Sequence, residues 1–576
     1  MSGTITINNQ PVAFDKEKSL LEVITNAGID LHTLCYNKQL APFGACRMCI
    51  VENEKGMLMT ACTTAPADGM IIKTHTPRVN RIRKMALELI LGNHPSECQT
   101  CDKSGHCRLQ DAANAYGVDK IRFKKPEKDP KVDNFGPSLI RDNNKCVLCG
   151  NCVRVCEEIQ GVKAISFAGR GSNSKIACAF DVPLAESTCI NCGQCLAVCP
   201  TGAITPLDQT AKVKEAIADE NKIVVFQFAP SVRAALTEEY GIDTAPKAMA
   251  KAATALKMMG VDYVFDTNWS ADLTIWEEAT EFLGRVKKGE RLPLFTSCCP
   301  AWIKYCEEFY PEFLQNLSTC KSPQGMLSAY VKKYLAEDLD LDMTGKKFYV
   351  VSVMPCTAKK YEASRKQLVT KDGEPETDVV LTSQEVIKLF REYGFNLADM
   401  AETPLDNPLS QYTGGGVIFG VSGGVAEAVV RFVMNDGGVV EACRGTQELK
   451  EIDLDYKGIT VKVAIVNGMD NAGKLIESIK SGEKEYTIIE VMCCRGGCIG
   501  GGGQPVPNEM AQRELRKDTI YNADVLAALK NPADNPDVKA IYERHLGEPN
   551  SHAAHEILHT SYEARNKVTG RWPEEE

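Results

Sequence analysis

At 576 residues the chain exceeds what one hydrophobic core serves, and its 44% apolar content is ordinary for a multi-domain globular protein. Its formal net charge of −10, from 66 basic and 76 acidic side chains, excludes the basic face that nucleic-acid binding needs. It has no basic-then-apolar leader, no twin arginine and no uncharged apolar run able to span a bilayer, so a cytoplasmic protein without membrane partners is expected. Its 25 cysteines would make a poor disulfide framework in the cytosol, yet nearly all fall at ligand spacings. Metal is expected to account for them.

Two short alternating runs, residues 4–8 and 11–14, precede a helix predicted over 19–27 with Ser19 as N-cap, a small α+β pattern. Cys35, Cys46, Cys49 and Cys62 follow. The close pair around Arg47 and Met48 resembles the plant-type 2Fe-2S ferredoxin pattern with altered outer spacing, and Gly44 and Ala45 let backbone N–H groups approach the sulfurs. A structural zinc site is the alternative, although such sites usually use two close pairs. A helical pattern over 80–92 leads to His94, Cys98, Cys101 and Cys107. On these residues alone zinc is as acceptable as a 4Fe-4S cluster. Their position between two other clusters favours the 4Fe-4S centre, whose potential a neutral imidazole would alter. His106 is read as a bystander. Cys146, Cys149, Cys152 and Cys156, then Cys189, Cys192, Cys195 and Cys199 with Pro200, repeat the bacterial two-cluster ferredoxin spacing. In that geometry the fourth cysteine of each run crosses over, joining Cys156 to Cys189, Cys192 and Cys195, and Cys199 to Cys146, Cys149 and Cys152.

From about residue 210 short buried-strand runs (223–228, 261–266, 348–353, 461–466, 487–491) alternate with helical stretches, an α/β pattern. Three of them end near Ser231, Cys356 and Met492, which places candidate site residues just past strand ends. WEEATEFLGR (276–285) sets Glu278, Glu281 and Arg285 at helical spacing. By itself this reads as a surface pair worth roughly a few tenths of a kcal/mol. The glycine runs 414–416 and 500–503 lack nucleotide-binding endings and are read as close backbone approach to a cluster. Residues beyond about 520 read as a helical wrap in which His552, His555 and His559 are exposed or capping.

Three segments carry the most information: TSCCPAW (296–302), MPCTAKKYE (354–362) and EVMCCRGGCIGGGGQP (490–505). They supply Cys299, Cys356, Cys494 and Cys498, which serve one site only if a folded domain collects them around an iron–sulfur core. In this order and with these flanks the strings resemble the three signature motifs of the iron-only (FeFe) hydrogenases. The first 210 residues resemble the relay modules of the large monomeric clostridial type. The resemblance implies a multi-domain α/β and α+β fold: a β-grasp 2Fe-2S ferredoxin domain (1–79), a His/Cys3 4Fe-4S domain (80–137) and a two-cluster 4Fe-4S ferredoxin domain (138–209). An α/β catalytic hydrogenase domain (210–519) and a small-subunit-like helical C-terminal region (520–576) complete it. It implies one 2Fe-2S cluster, three accessory 4Fe-4S clusters and an H-cluster. In the H-cluster the four cysteines hold a 4Fe-4S cube, and Cys498 bridges it to a dinuclear iron unit carrying carbon monoxide, cyanide and a dithiolate. The implied reaction interconverts dihydrogen with protons and electrons, exchanged with ferredoxin or a similar one-electron carrier, at a site loaded by hydrogenase maturation proteins.

The same resemblance implies a proton path with Cys298 as the shuttle, Glu278 and Ser318 next to it, and Glu281 and Arg285 toward solvent. A thiol with a pKa near about 8.5 exchanges protons near neutrality as a hydroxyl does not, although the residues alone suit a buried inert cysteine equally. Lys359 is the expected charge-assisted donor to one cyanide, rather than a solvated lysine, with Ser231 and the backbone after Pro230 serving the second. Gln324, Met354, Phe419 and Met492 complete the lining, Met354 against the bridging ligand and Phe419 excluding water. Ala301 and Cys493 depart from the family's commonest glycine and alanine, and are expected to alter the bias between hydrogen uptake and evolution. Cys178, Cys306, Cys320 and Cys443 have no assigned role. The relay half also resembles cluster-bearing subunits of NADH and formate dehydrogenases, which carry a molybdopterin-type domain in place of the three motifs. A non-catalytic iron–sulfur-assembly relative would have a degenerate pocket, whereas Cys298, Lys359 and Cys498 are intact. A sensory hydrogenase is a further alternative, although no appended signalling domain is visible in the sequence.

Overall fold

The opening alternation folds as a hairpin, β1 (Gly3–Ile7) against β2 (Gln10–Phe14), with Asn8 and Asn9 at positive φ in its turn. The computed structural model describes residues 2–123 and 131–572. Residues 124–130 of the predicted 80–137 segment and 573–576 of the predicted 520–576 region lie outside them. Helix Leu20–Asn26 is capped by Ser19, whose side chain accepts from the Glu22 backbone N–H. β3 (Ile50–Asn53), β4 (Leu58–Thr60) and β5 (Ile71–Lys73) complete a sheet of order β2-β1-β5-β3-β4. The helix predicted over 80–92 runs Pro77–Leu91, because Thr76 caps it and proline suits its first turn. β6 (Leu139–Arg141), β7 (Ser166–Ala168), β8 (Lys175–Ala177) and β9 (Ile204–Pro206) form two antiparallel pairs, β6 with β9 and β7 with β8, around the two cysteine runs.

Eight further strands follow: β10 (Lys222–Phe228), β11 (Tyr263–Asp266), β12 (Leu294–Phe295), β13 (Lys347–Met354), β14 (Val379–Thr382), β15 (Leu449–Tyr456), β16 (Ile459–Asn467) and β17 (Ile488–Met492). They make two sheets, a wholly parallel one ordered β11-β10-β13-β14 and a mixed one ordered β12-β17-β16-β15. β10 is almost continuously apolar, as a strand buried on both faces must be. Its one interior polar residue, Gln227, has its amide nitrogen 2.8 Å from both the Ser328 and Ser352 hydroxyls. This satisfies a buried amide and pins helix Pro323–Lys333 to β13.

Helix Thr267–Lys288 leaves β11 directly. Asp266 caps it and takes a buried bidentate ion pair from Arg233, both contacts 2.9 Å. The last part of the chain wraps the second half: Asp524 pairs with Arg431 (2.9 Å), Asn535 donates to Asp272 (2.8 Å) and Arg565 donates to Glu307 (2.8 Å). One histidine departs from its sequence reading. His552 and His555 are exposed, but His559 is buried, because a backbone bridge to Cys320 draws it in beside Glu277. Glycines 414–416 also depart, since they meet no cysteine cluster: a Cβ on Gly416 would stand 2.4 Å from the Asn268 carbonyl, so this run lets two helices touch. Among the described residues no helix is long and apolar enough to cross a membrane.

Candidate functional site

In the N-terminal unit the Cys35 and Cys46 sulfurs are 3.4 Å apart without a disulfide, and backbone N–H groups of Leu34 and Cys46 donate to them. Cys62 is in hydrogen-bonding contact with both Cys35 and Cys49, so the four thiols form one buried group. His94, Cys98, Cys101 and Cys107 line a second small cavity. His94 Nδ1 lies 2.8 Å from the Pro95 carbonyl, a bond that puts the ring lone pair on Nε2. Cys146, Cys149 and Cys152 share a third cavity with Cys199, while Cys156 stands among Cys189, Cys192 and Cys195. Each run's fourth cysteine thus keeps company with the other run.

A cavity with about 790 Å³ of atom-free space opens at the C-terminal ends of β10, β12, β13 and β17. Parallel strands deliver their following loops to the same end, which is why distant motifs meet here. Cys299 caps helix Pro300–Phe309, and backbone N–H groups of Cys493 and Trp302 point at its sulfur. Cys356 follows β13 and Cys494 follows β17. Cys498 comes after Gly497, whose φ of 90° no other residue adopts without strain, and where a Cβ would meet the Ser422 backbone nitrogen at 2.5 Å. The four cysteines, with Cys298, all line the cavity. So do Pro230, Ser231, Gln324, Met354, Lys359, Phe419 and Met492.

These residues suit an iron–sulfur group with polar ligands. Burial, then repulsion from neighbouring sulfurs, pushes Cys299 up to about 11 and Cys498 up to about 12. Thiols so packed ionise together only around a cationic core. On the cavity wall the buried Ser231 Oγ and Gln324 Oε1 have no hydrogen-bond partner, a cost of about 1–3 kcal/mol each unless a ligand meets them. Lys359 is buried, its Nζ 2.6 Å from Ser322 Oγ and 2.7 Å from Glu362 Oε2. Burial opposes its charge, but the Glu362 carboxylate more than offsets this and holds its pKa above the ordinary lysine value. The ammonium's third hydrogen remains for a cavity ligand.

Beside the cavity a polar chain leads away. Burial, then the Glu278 carboxyl, pushes the Cys298 thiol well above its usual range, so it stays protonated. Burial likewise pushes Glu278 up to about 8, against a hydrogen bond with Ser318. Ser318 Oγ donates to Glu281 Oε2 (3.1 Å), and Arg285 Nη2 donates to Glu281 Oε1 (2.6 Å). WEEATEFLGR is therefore no surface pair: Glu278 is 1% and Arg285 7% exposed. Arg285 also donates to the carbonyls of Asn316 (3.1 Å) and Leu317 (2.8 Å). Its guanidinium, always charged, positions Glu281 more than it faces solvent.

Several residues at the site carried no sequence signal. Gln194, inside the second cysteine run, donates to Cys494 Sγ (3.1 Å) and to the Gly500 carbonyl (3.0 Å). Gln160 donates to the Cys493 carbonyl (3.1 Å) and accepts from the Cys493 thiol (3.2 Å), which also contacts Cys192. Thr357 donates to the Asn191 carbonyl and Lys304 to the Cys189 carbonyl, both 2.7 Å. The relay cysteines and the cavity are thus joined by buried amide contacts that no spacing rule reveals.

Family models match in five stretches. They are a 2Fe-2S iron-sulfur cluster binding domain at 3–77, an NADH-ubiquinone oxidoreductase-G iron-sulfur binding region at 83–122, a 4Fe-4S dicluster domain at 145–203, the C-terminal domain of the iron only hydrogenase large subunit at 222–502, and the iron hydrogenase small subunit at 509–565. The NADP-reducing hydrogenase subunit HndD of Solidesulfovibrio fructosivorans is 38% identical over 98% of this chain and 99% of its own. Iron hydrogenase 1 of Clostridium pasteurianum is 34% identical over 97% and 99%. A solved [FeFe]-hydrogenase HydA1 from Chlamydomonas reinhardtii superposes with a TM-score of 0.55 at 36% identity, covering 63% of this chain and 100% of that one.

Proposed function

The chain belongs to the iron-only hydrogenases, which oxidise dihydrogen and reduce protons at an H-cluster, and from that premise we propose how its own residues divide the work. Cys299, Cys356, Cys494 and Cys498 would hold the H-cluster through their sulfurs. When bound, that group supplies the metal centre at which dihydrogen is split or formed. Lys359, Ser231 with the backbone after Pro230, and Gln324 orient its polar ligands, while Met354, Phe419 and Met492 keep water out. Cys298 carries a proton at its sulfur and exchanges it with the Glu278 carboxyl, from which Ser318 and Glu281 lead outward. Arg285 positions Glu281.

Cys35, Cys46, Cys49 and Cys62 hold a 2Fe-2S cluster. His94 with Cys98, Cys101 and Cys107, and the two crossed quartets of residues 146–199, hold three 4Fe-4S clusters. The corresponding division is a β-grasp ferredoxin domain (1–79), a His/Cys3 domain (80–137), a two-cluster ferredoxin domain (138–209), the catalytic domain (210–519) and the small-subunit-like region (520–576). The enzyme works in the cytoplasm, is loaded by hydrogenase maturation proteins and exchanges electrons with ferredoxin or a similar one-electron carrier. A second reading of the carrier is favoured by the 38% identical relative, whose name is that of an NADP-reducing hydrogenase subunit. In it, electrons reach NADP through an assembly of which this chain is one part, since the chain shows no nucleotide-binding motif of its own.

The observation that carries the residue assignment is the meeting of Cys298 and four other cysteines of three distant segments at one cavity, with Glu278 behind them. Cys298→Ser, matured and purified, is expected to keep its carbonyl and cyanide infrared bands while turnover falls by about a hundredfold or more. Undiminished turnover in that variant removes Cys298 from the path. Missing bands in the matured parent enzyme remove the cluster assignment itself.

A further inference from the structure

Cys320 is one of the four cysteines with neither a cluster nor another role assigned, and it lies on the flank of the polar chain. Helix Thr267–Lys288 brings Glu281 to it from one side, and the C-terminal wrap brings His559 from the other through the Cys320–His559 backbone bridge. One ligand atom each of Glu281, Cys320 and His559 lies within 4.8 Å of the others, and the Cys320 sulfur is 3.9 Å from Glu281 Oε2. Cys320 and His559 are buried.

The surroundings are those of a built site. His559 Nε2 is 3.0 Å from Glu277 Oε2, a carboxylate–imidazole bond that leaves the lone pair on Nδ1, where the Thr319 hydroxyl now sits at 2.8 Å. A carboxylate behind a ligating imidazole fixes the tautomer and strengthens the donor. On the other flank Arg285 Nη2 grips Glu281 Oε1 at 2.6 Å and steadies the carboxylate whose second oxygen faces Cys320. Burial first, then the fields of Glu281, Glu278 and Glu277, hold the Cys320 thiol well above its usual range, so it keeps its proton until a cation displaces it.

We propose that Glu281, Cys320 and His559 form a site for a thiophilic divalent cation of the zinc class, outside the iron–sulfur clusters and on the outer stretch of the polar chain. One sulfur, one imidazole nitrogen and one carboxylate oxygen are a zinc ligand set, with a fourth position open to water. Binding takes the thiol proton off Cys320, which leaves to solvent, and draws the three donors together, with the Thr319 hydroxyl giving up Nδ1. A filled site ties down Glu281 and brakes proton movement; this consequence, unlike binding, rests on the reading that Glu281 relays protons.

The test uses the matured enzyme, freed of adventitious metal and titrated with zinc chloride. Zinc K-edge X-ray absorption is expected to show one sulfur among nitrogen and oxygen neighbours, and the sulfur is expected to vanish in Cys320→Ser, whose folding is checked by its thermal midpoint against the parent. Hydrogen evolution driven by reduced methyl viologen is expected to fall with added zinc and recover with chelator. Cys320→Ser and His559→Ala are expected to raise the half-inhibiting zinc concentration about tenfold or more. Zinc held by three or four sulfurs, or a zinc environment unchanged by Cys320→Ser, overturns the site. Zinc bound through one sulfur without inhibition leaves the site standing and overturns the role of Glu281 in proton transfer.

Discussion

On the polar chain, Glu278 is the residue whose chemistry suits a pH near neutrality. Buried behind Cys298, it is pushed from 4.5 up to about 8, so near neutrality it both holds and releases a proton, whereas the Cys298 thiol is driven well above its usual range. From the sequence the thiol carried only its ordinary pKa near about 8.5, because burial is not visible in a motif. Two outcomes are expected of Glu278→Gln. Turnover falls by about a hundredfold or more, since an amide cannot pass the proton on. The second concerns stability. The folded carboxyl binds a proton that the unfolded one releases above about 4.5, so its contribution is fully present below that value and is lost as pH rises through about 8. Glutamine has no such loss, and the stability of the variant relative to the parent is expected to rise across this window by at most about 1.4 kcal/mol per pH unit. Chemical denaturation at several pH values reads this directly, and a difference independent of pH would count against a buried neutral Glu278. Ala301 and Cys493 belong to the same scale. Both are buried on the cavity wall, and Cys493 touches Cys192 as well as its neighbour Cys494. An Ala301→Gly, Cys493→Ala double variant is expected to shift the ratio of hydrogen uptake to evolution, and an unchanged ratio in paired assays disposes of the idea.

At the scale of elements, the short strands β3–β9 went unread, while five of the eight strands β10–β17 were legible because their apolar runs are continuous and bounded by turn residues, as at residues 223–228 and 348–353. Three were not. β12 spans only two residues, too few to show a period; β14 is a four-residue run; and β15 alternates charge with half-buried positions along an edge. Cysteine spacing pointed to sulfurs that lie close together in the fold, the crossing of each run's fourth cysteine included. It did not tell which loops press on each other. Residues 500–503 show this: they were read as approach to a cluster, and they also thread between neighbouring backbone, with a Cβ on Gly502 standing 2.6 Å from the Gly193 carbonyl and 2.7 Å from its Cα. Backbone cannot yield as a flexible side chain can. Gly502→Ala is therefore expected to destabilise by about 1–3 kcal/mol and to lower the thermal midpoint. Gly284→Ala is the control, lying inside helix Thr267–Lys288 with open space around its added methyl, and is expected to stabilise by about 0.5–1 kcal/mol. Equal midpoints for the two variants would mean that the Gly193–Gly502 contact relaxes freely.

At the scale of the whole molecule the question is how a relay and a cavity built on separate folds act as one conductor. The structure answers with buried contacts that cross between them, from Gln160, Asn191 and Gln194 on one side to Cys493, Thr357 and Cys494 on the other. The Gln194 amide donates to the sulfur of a proposed cube ligand from within the neighbouring cysteine run. A donor to a cluster sulfur favours the reduced, more negative state, so removing it lowers the reduction potential. A hydrogen bond to a charged acceptor is worth about 1.5–3 kcal/mol, but only the difference between redox states counts. At about 59 mV per tenfold for one electron, the expected change for Gln194→Leu is a fall on the order of 50 mV. Potentiometric titration followed by electron paramagnetic resonance measures it, with the remaining clusters as internal references. Electron entry becomes harder by the same step, so hydrogen evolution driven from the relay slows more than uptake does. A potential that stays put while activity falls would mean that Gln194 only holds the two folds together, through its second bond to the Gly500 carbonyl.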